Sequence, residues 1–175
     1  MTKFQLAGAA TSVLIAATLG ACNKTDAAKP VVDTAKIAEA IKADEVQLTA
    51  DFNAHDVARI VSHDAPGIVQ IFHGAPNYVG VDGDAENNKA FFKANPDTKF
   101  SDSGGTVDVA ASGDMAVYRS TYTLTLTDPK KQKPATETGN YLAGYKLQPD
   151  GSWKMTWSVL SDLPATASPA PDPKG

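Results

Sequence analysis

Residues 115–127 read "MAVYRSTYTLTLT", and their alternation decides the fold class. Successive side chains of a strand point to opposite faces. One face therefore carries Tyr118, Ser120, Tyr122, Leu124 and Leu126, and the other Val117, Arg119, Thr121, Thr123 and Thr125. β-branched and aromatic residues at this density suit a pleated, half-buried surface. Two further strands follow: "GNYLAGYKL" (139–147), with Tyr141, Ala143, Tyr145 and Leu147 in phase, and "SWKMTWSVL" (152–160), with Trp153, Met155, Trp157 and Val159 in phase. The turn "QPDG" (148–151) joins them, and "DPKKQKPATET" (128–138) reads as a lysine-rich loop. Upstream, "GTVDVAAS" (105–112) alternates and the turn "SGD" (112–114) leads into the long strand. Together these form an antiparallel meander.

Before residue 96 the period is helical. Ile37, Ile41, Leu48 and Phe52 share a face of a helix running from Asp33 to Ala54, with Asp33 or Thr34 as its N-cap. Asp44 falls on the same stripe, a carboxylate among apolar neighbours that calls for a tyrosine hydroxyl, a water or a proton. "NAHD" (53–56) breaks the helix, and Asp56 can cap a short second one that Pro66-Gly67 ends. A short strand, "IVQIF" (68–72), comes next. A third helix, "AENNKAFFKAN", is capped by Asp82 or Asp84 and stopped at Asn95-Pro96. Helices first and strands after is an α+β plan, with helices packed on one face of a mostly antiparallel sheet.

The ends differ in composition. Residues 1–21 hold one charge, Lys3, then the apolar run Leu6–Ala21, the layout of a secretory signal. The run is shorter than the roughly 20 residues a spanning helix needs, which leaves an uncleaved anchor as the alternative. Cys22, the only cysteine, follows directly, so no disulfide can form within the chain. Residues 22–32 read as a tether, 33–163 as one folded domain, and 164–175 as a disordered tail rich in proline and alanine. The formal net charge of −4, with scattered lysines, leaves no electrostatic footprint for nucleic acid.

"LGAC" (19–22) resembles the lipobox of bacterial lipoproteins. The resemblance implies cleavage before Cys22 and acylation of that residue, which anchors the domain in the envelope. Because Asn23 is not aspartate, it also implies the periplasmic side of the outer membrane. The alternative is a cysteine that merely follows a cleaved signal.

The order of motifs over about 35–162 resembles the nuclear-transport-factor-2-like superfamily, which includes ketosteroid isomerase and the SnoaL-type polyketide cyclases. The matching pieces are "NAHD" (53–56), "HDA" (63–65), "SGD-x-A" (112–116), "GNY" (139–141) and "DGSWK" (150–154). The fold implied is a cone: a strongly curved, mostly antiparallel sheet wrapped round the N-terminal helices, with a pocket at the open end. A homodimer through the outer sheet face is also implied. His55 stands where the family often has glycine, so a left-handed helix end is not expected there.

Ketosteroid isomerase needs a carboxylate base, a tyrosine and a protonated aspartic acid. By position these fall on Val69 or Gln70, on Leu48 and on Ala143, so none is kept. That activity is not expected. His55, His63 and His73 show no metal-ligand spacing and read as solvated loop residues, although His73 could reach the pocket mouth. "SGGT" (103–106) precedes a strand rather than a helix, so it is no phosphate loop. No metal and no cofactor is expected.

What remains is an aromatic set: Tyr118, Tyr122, Tyr141, Tyr145, Trp153 and Trp157. It forms either ordinary core or the wall of a ligand cavity. In the second case Tyr118, Tyr122, Tyr141, Tyr145 and Trp157 bind the ligand and Asp44 is the one charged group. Three functions follow: a cone that binds a small apolar molecule or peptide without catalysis, an enzyme using Asp44 as acid or base, or an interaction module whose cone is filled.

Overall fold

Asp33 opens the first helix, α1 (Thr34–Asn53), by accepting a hydrogen bond from the Lys36 backbone N–H at 3.0 Å. The structure is a computed structural model and describes residues 32–128 and 131–162. The signal segment, Cys22 and the proline-rich tail lie outside the described residues.

At the end of α1, His55 takes the left-handed conformation, φ 57°, that glycine would favour. The helix therefore does end in a left-handed residue, contrary to the expectation from histidine. The histidine ring stacks on Phe92 at 4.2 Å between centroids, 13° from parallel, a packing gain that a glycine could not supply and that offsets the strain. Asp56 caps α2 (Val57–Ile60), as its position suggests, and a 3-10 turn follows at Val61–His63. The chain then goes straight into β1 (Asp64–Phe72). Pro66-Gly67 thus does not end the helix. It lies where the β1 register shifts, a bulge that tolerates proline. After β2 (Tyr78–Val79), α3 spans Gly80–Ala94 with no side-chain cap. Asp84, expected as a possible cap, is instead buried inside the helix.

The meander consists of β3 (Lys99–Val109), β4 (Met115–Asp128), β5 (Lys133–Leu147) and β6 (Trp153–Asp162). The six-stranded sheet has the order β2-β1-β6-β5-β4-β3. Only β1 and β6 pair in parallel. β5 begins six residues earlier than its apolar pattern indicates. Lys133–Thr138 pair one for one with Thr123–Asp128, although the sequence there reads as loop. Main-chain bonds of the hairpin extend the strand, and because β6 pairs only from Gly139 onward, Pro134 sits on a free edge where it breaks no second ladder.

Bulges in β1, β3 and β6 curve the sheet. α1 lies across β3 and β4, and α3 against β1. The core on the concave side joins Ile41 and Ile68 to Tyr118, Tyr122, Tyr141, Tyr145 and Met155. The bulge in β6 changes one expected phase. Tyr145 pairs with Met155 but Gly144 pairs with Trp157, so Thr156 is the extra residue. Met155 and Ser158 are buried on the concave side, while Trp157 shares a row with Val69, Gly144 and Val117 on the other face. Its ring covers Gly144, where an added Cβ would lie 2.1 Å from the indole.

Candidate functional site

On α1 the apolar stripe has a carboxylate at its centre, and it is Glu45. Glu45 lies four residues after Ile41 and three before Leu48, and it is 3% exposed. Tyr145 Oη donates to Glu45 Oε1 at 2.8 Å. Burial pushes the Glu45 carboxyl from 4.5 up to about 8; the Tyr145 hydrogen bond opposes this and the neighbouring Asp44 charge adds to it.

Asp44 points to the flank of the helix. Its Oδ2 accepts from Tyr145 Oη at 3.1 Å, the tyrosine hydroxyl expected for it, and its Oδ1 lies 2.8 Å from His63 Nδ1. His63 is not a solvated loop residue: it is buried, with its other ring nitrogen 3.2 Å from Asp51 Oδ2. Carboxylates on both nitrogens favour the imidazolium, so the His63 pKa is raised, first by the Asp44 hydrogen bond and against the cost of burial. Burial alone would raise Asp51, but His63, Gln47 and Arg59 hold it below its ordinary value. This Asp44–His63–Asp51–Arg59 chain ties α1 to the second helix and the turn after it.

Between α1, α3 and the concave sheet lies a cavity of about 370 Å³. Its walls are mostly apolar: Leu48, Phe52, Phe91, Phe100, Met155 and Leu160, with Tyr122 and Tyr141. Polar groups enter at three points. Glu45 comes from α1. Gln70 and Ser158 come from β1 and β6, with the Ser158 hydroxyl donating to the Gln70 carbonyl. Asp64 and Asp84 come from the start of β1 and the second turn of α3. Asp84 Oδ2 accepts from Asn88 Nδ2 at 3.0 Å, and the Asp64 carboxyl, when protonated, donates to Asp84. Burial, then the charge of Asp84, pushes the Asp64 carboxyl up to about 8; burial also raises Asp84. Asp64 is thus held neutral near neutral pH, with its proton shared with Asp84. Tyr122 Oη donates its one proton to Glu137 Oε1 at 2.5 Å and also lies 3.0 Å from Asp162 Oδ1.

The five aromatic candidates divide. Tyr122 and Tyr141 line the cavity, and Tyr118 and Tyr145 belong to the core beside it. Trp157 is turned away by the Thr156 bulge. Asp44 is not among the cavity-lining residues; Glu45 occupies the place expected of it. His73, read from the sequence as a solvated loop residue that could reach the pocket, lines the cavity. The cone holds a cavity among its core side chains. Among the described residues, no three His, Cys, Asp or Glu side chains are set to hold a metal ion. Arg119 is exposed and pairs with Asp108 at 2.6 Å, away from Asp44.

A curved, unclosed sheet around a long helix, with a mostly apolar cavity holding a few buried carboxyls, defines a cone-type α+β domain. The chain belongs to the SnoaL-like domain family, which it matches over residues 46–154. Among solved structures it is similar to a nuclear transport factor 2-like superfamily protein from Salmonella enterica serovar Typhimurium LT2, with a TM-score of 0.67, 14% identity, and 79% of this chain and 99% of that chain covered. It is likewise similar to a ketosteroid isomerase-like protein from Erwinia carotovora atroseptica SCRI1043, with a TM-score of 0.61, 22% identity and coverage of 71% and 95%. A third, from Caulobacter vibrioides and described as having a cystatin-like fold, gives a TM-score of 0.64 at 16% identity, covering 72% and 89%. At these identities the likeness concerns fold alone. A search of the curated proteins finds no match to this chain.

Proposed function

We propose that the domain binds a small, largely apolar molecule in the cone, and that acylated Cys22 holds it to the bacterial envelope. The observation that carries the binding reading is the cavity itself. About 370 Å³ lies within the range of small-molecule sites, and its apolar walls with a few convergent polar groups have the usual make-up of one. A compact molecule fits a space of this volume better than an extended peptide. The neutral apolar fluorophore N-phenyl-1-naphthylamine provides the test. Its emission should rise saturably with the wild-type protein and fail to do so with Leu48→Trp, which fills the space from α1. Equal emission from the two proteins would mean that the probe sits elsewhere.

A second reading is favoured by one observation: Glu45 and Asp64 both line the cavity and have carboxyls pushed up to about 8, poised to give or take a proton near pH 7. In this reading they, rather than Asp44, are the acid and base. Turnover abolished by Glu45→Gln or Asp64→Asn in a folded protein would favour it over binding alone. We further propose a homodimer through the convex face, where Val69, Ile71, Leu142, Val117, Trp157 and Val159 form two partly exposed apolar rows.

A further inference from the structure

The inward row of β1 reads Ile68, Gln70, Phe72, so an amide stands between two apolar side chains. Gln70 pairs across the sheet with Ser158, and the row continues through Ala143 and Tyr118 on the concave side. Gln70 is 8% exposed and Ser158 is 2% exposed. The Ser158 hydroxyl donates to Gln70 Oε1, its acceptor among the described residues. Turning the amide over would leave that buried hydroxyl with nothing to donate to. The oxygen is therefore held toward Ser158 and the Nε2 group is turned away from it.

Nε2 carries two N–H donors, and no acceptor among the described residues takes either of them. Nor is the group sealed in. Gln70 Nε2 is not one of the unpartnered side-chain atoms closed off by packing, and Gln70 lines the cavity, so its free N–H groups open onto that space. Other polar side chains of the wall are spent on one another: Glu45 on Tyr145, Asp84 on Asn88 and Asp64, and Glu137 on Tyr122. A buried amide is costly unless its donors are used, and this one is held in a fixed orientation by a second buried residue.

What such a group takes is a lone pair. A carbonyl supplies one without bringing a proton that needs an acceptor of its own. An anionic acceptor is disfavoured, because Glu45, Asp64, Asp84, Glu137 and Asp162 line the cavity with no lysine or arginine among the described lining residues. We propose that the ligand is a neutral carbonyl compound, an apolar body whose carbonyl oxygen accepts from Gln70 Nε2, with Ser158 as the positioning residue that keeps the amide turned toward it. The inference rests on the cavity-binding reading above and adds the class of ligand.

Two naphthalenes of one shape separate the carbonyl from its bulk: 2-acetylnaphthalene and 2-isopropenylnaphthalene, in which a CH2 group replaces the oxygen. A third, 2-naphthoate, adds the charge. Each is titrated into wild-type protein loaded with N-phenyl-1-naphthylamine, and displacement is read as loss of emission. The ketone should compete at a concentration at least about tenfold lower than the hydrocarbon, because the hydrocarbon strips water from the Gln70 amide and returns no acceptor. Naphthoate should also compete less well than the ketone. In nitrogen-15-labelled protein the Gln70 side-chain N–H signals should shift with the ketone far more than with the hydrocarbon. Gln70→Leu should bring ketone and hydrocarbon to within about twofold of each other. Ser158→Ala, which frees the amide to turn, should narrow the gap, and a gap it leaves unchanged overturns the positioning role. A hydrocarbon or naphthoate that competes as well as the ketone, or Gln70 signals that the ketone leaves in place, overturns the inference on the wild-type protein alone and leaves the cavity reading intact. If neither the fluorophore nor any of the three compounds binds, the cavity reading falls and the inference with it.

Discussion

Replacing Glu45 by glutamine should stabilise the protein, and by more as the pH rises. Glutamine keeps the shape of the protonated acid and an oxygen to accept from Tyr145 Oη, but it can never be charged. Wild-type Glu45 titrates near 4.5 when unfolded and near 8 when folded. Its folded pKa is raised, so its contribution is fully present below about 4.5 and is lost as the pH climbs to about 8. Against an always-neutral residue, the linkage relation gives a stabilisation of about 1 kcal/mol near pH 5, about 3 near pH 7 and about 5 near pH 9. At 3% exposure there is little solvent screening to reduce these values, although imperfect fit of the amide would lower them all by a common amount. Urea unfolding of wild type and Glu45→Gln at the three pH values measures the effect directly. A stability difference that stays constant from pH 5 to pH 9 would refute the reasoning, because it would mean that Glu45 ionises in the fold as easily as in water.

Other outcomes follow from the same structure. Wild-type stability should fall between about pH 5 and 8, because Asp64, Asp84 and His63 are all shifted upward as Glu45 is; Asp51, shifted downward, matters only below about pH 4. Asp44→Asn should lower the His63 pKa in an NMR titration and cost about 1–2 kcal/mol, reduced from a buried-pair value because the Asp44 side chain is 28% exposed. An unmoved His63 titration would mean that the pair does not form. Gly144→Ala should cost about 1–3 kcal/mol in urea unfolding, since its methyl must displace the Trp157 ring; Trp157→Ala in the same protein should recover part of that loss. Light scattering should report a dimer that a lysine at Val117 weakens, and mass spectrometry of the mature N-terminus should find Cys22 acylated.

Much of the fold was legible because β4 and β5 alternate without interruption, and an alternating strand admits one inward face. β6 misled for a local reason: Thr156 bulges, and a single extra residue sends Trp157 to the opposite face from Met155. The site was half legible. Spacing placed a carboxylate of α1 on the buried stripe, but pointed to Asp44 where Glu45 is the one turned to the cavity. At about 100° per residue, Asp44 lies roughly 60° to one side of Ile41 and Glu45 roughly 40° to the other, so both satisfy the pattern. The Asp64–Asp84 pair was hidden because it is made by packing α3 on β1, and Asp84 alone reads as a helix cap. His63 looked like a loop residue because its two carboxylate partners lie on another helix. Packing, rather than local preference, turns each of these polar residues inward.

The methionines offer the most direct test of the cavity. Met155 lines it, whereas Met115 is 48% exposed and is not among the lining residues. With methionine methyl groups labelled with carbon-13, addition of N-phenyl-1-naphthylamine should shift the Met155 resonance progressively to saturation and leave Met115 in place. A Met155 signal that stays fixed while the probe's emission rises would contradict the claim that this domain binds its ligand inside the cone.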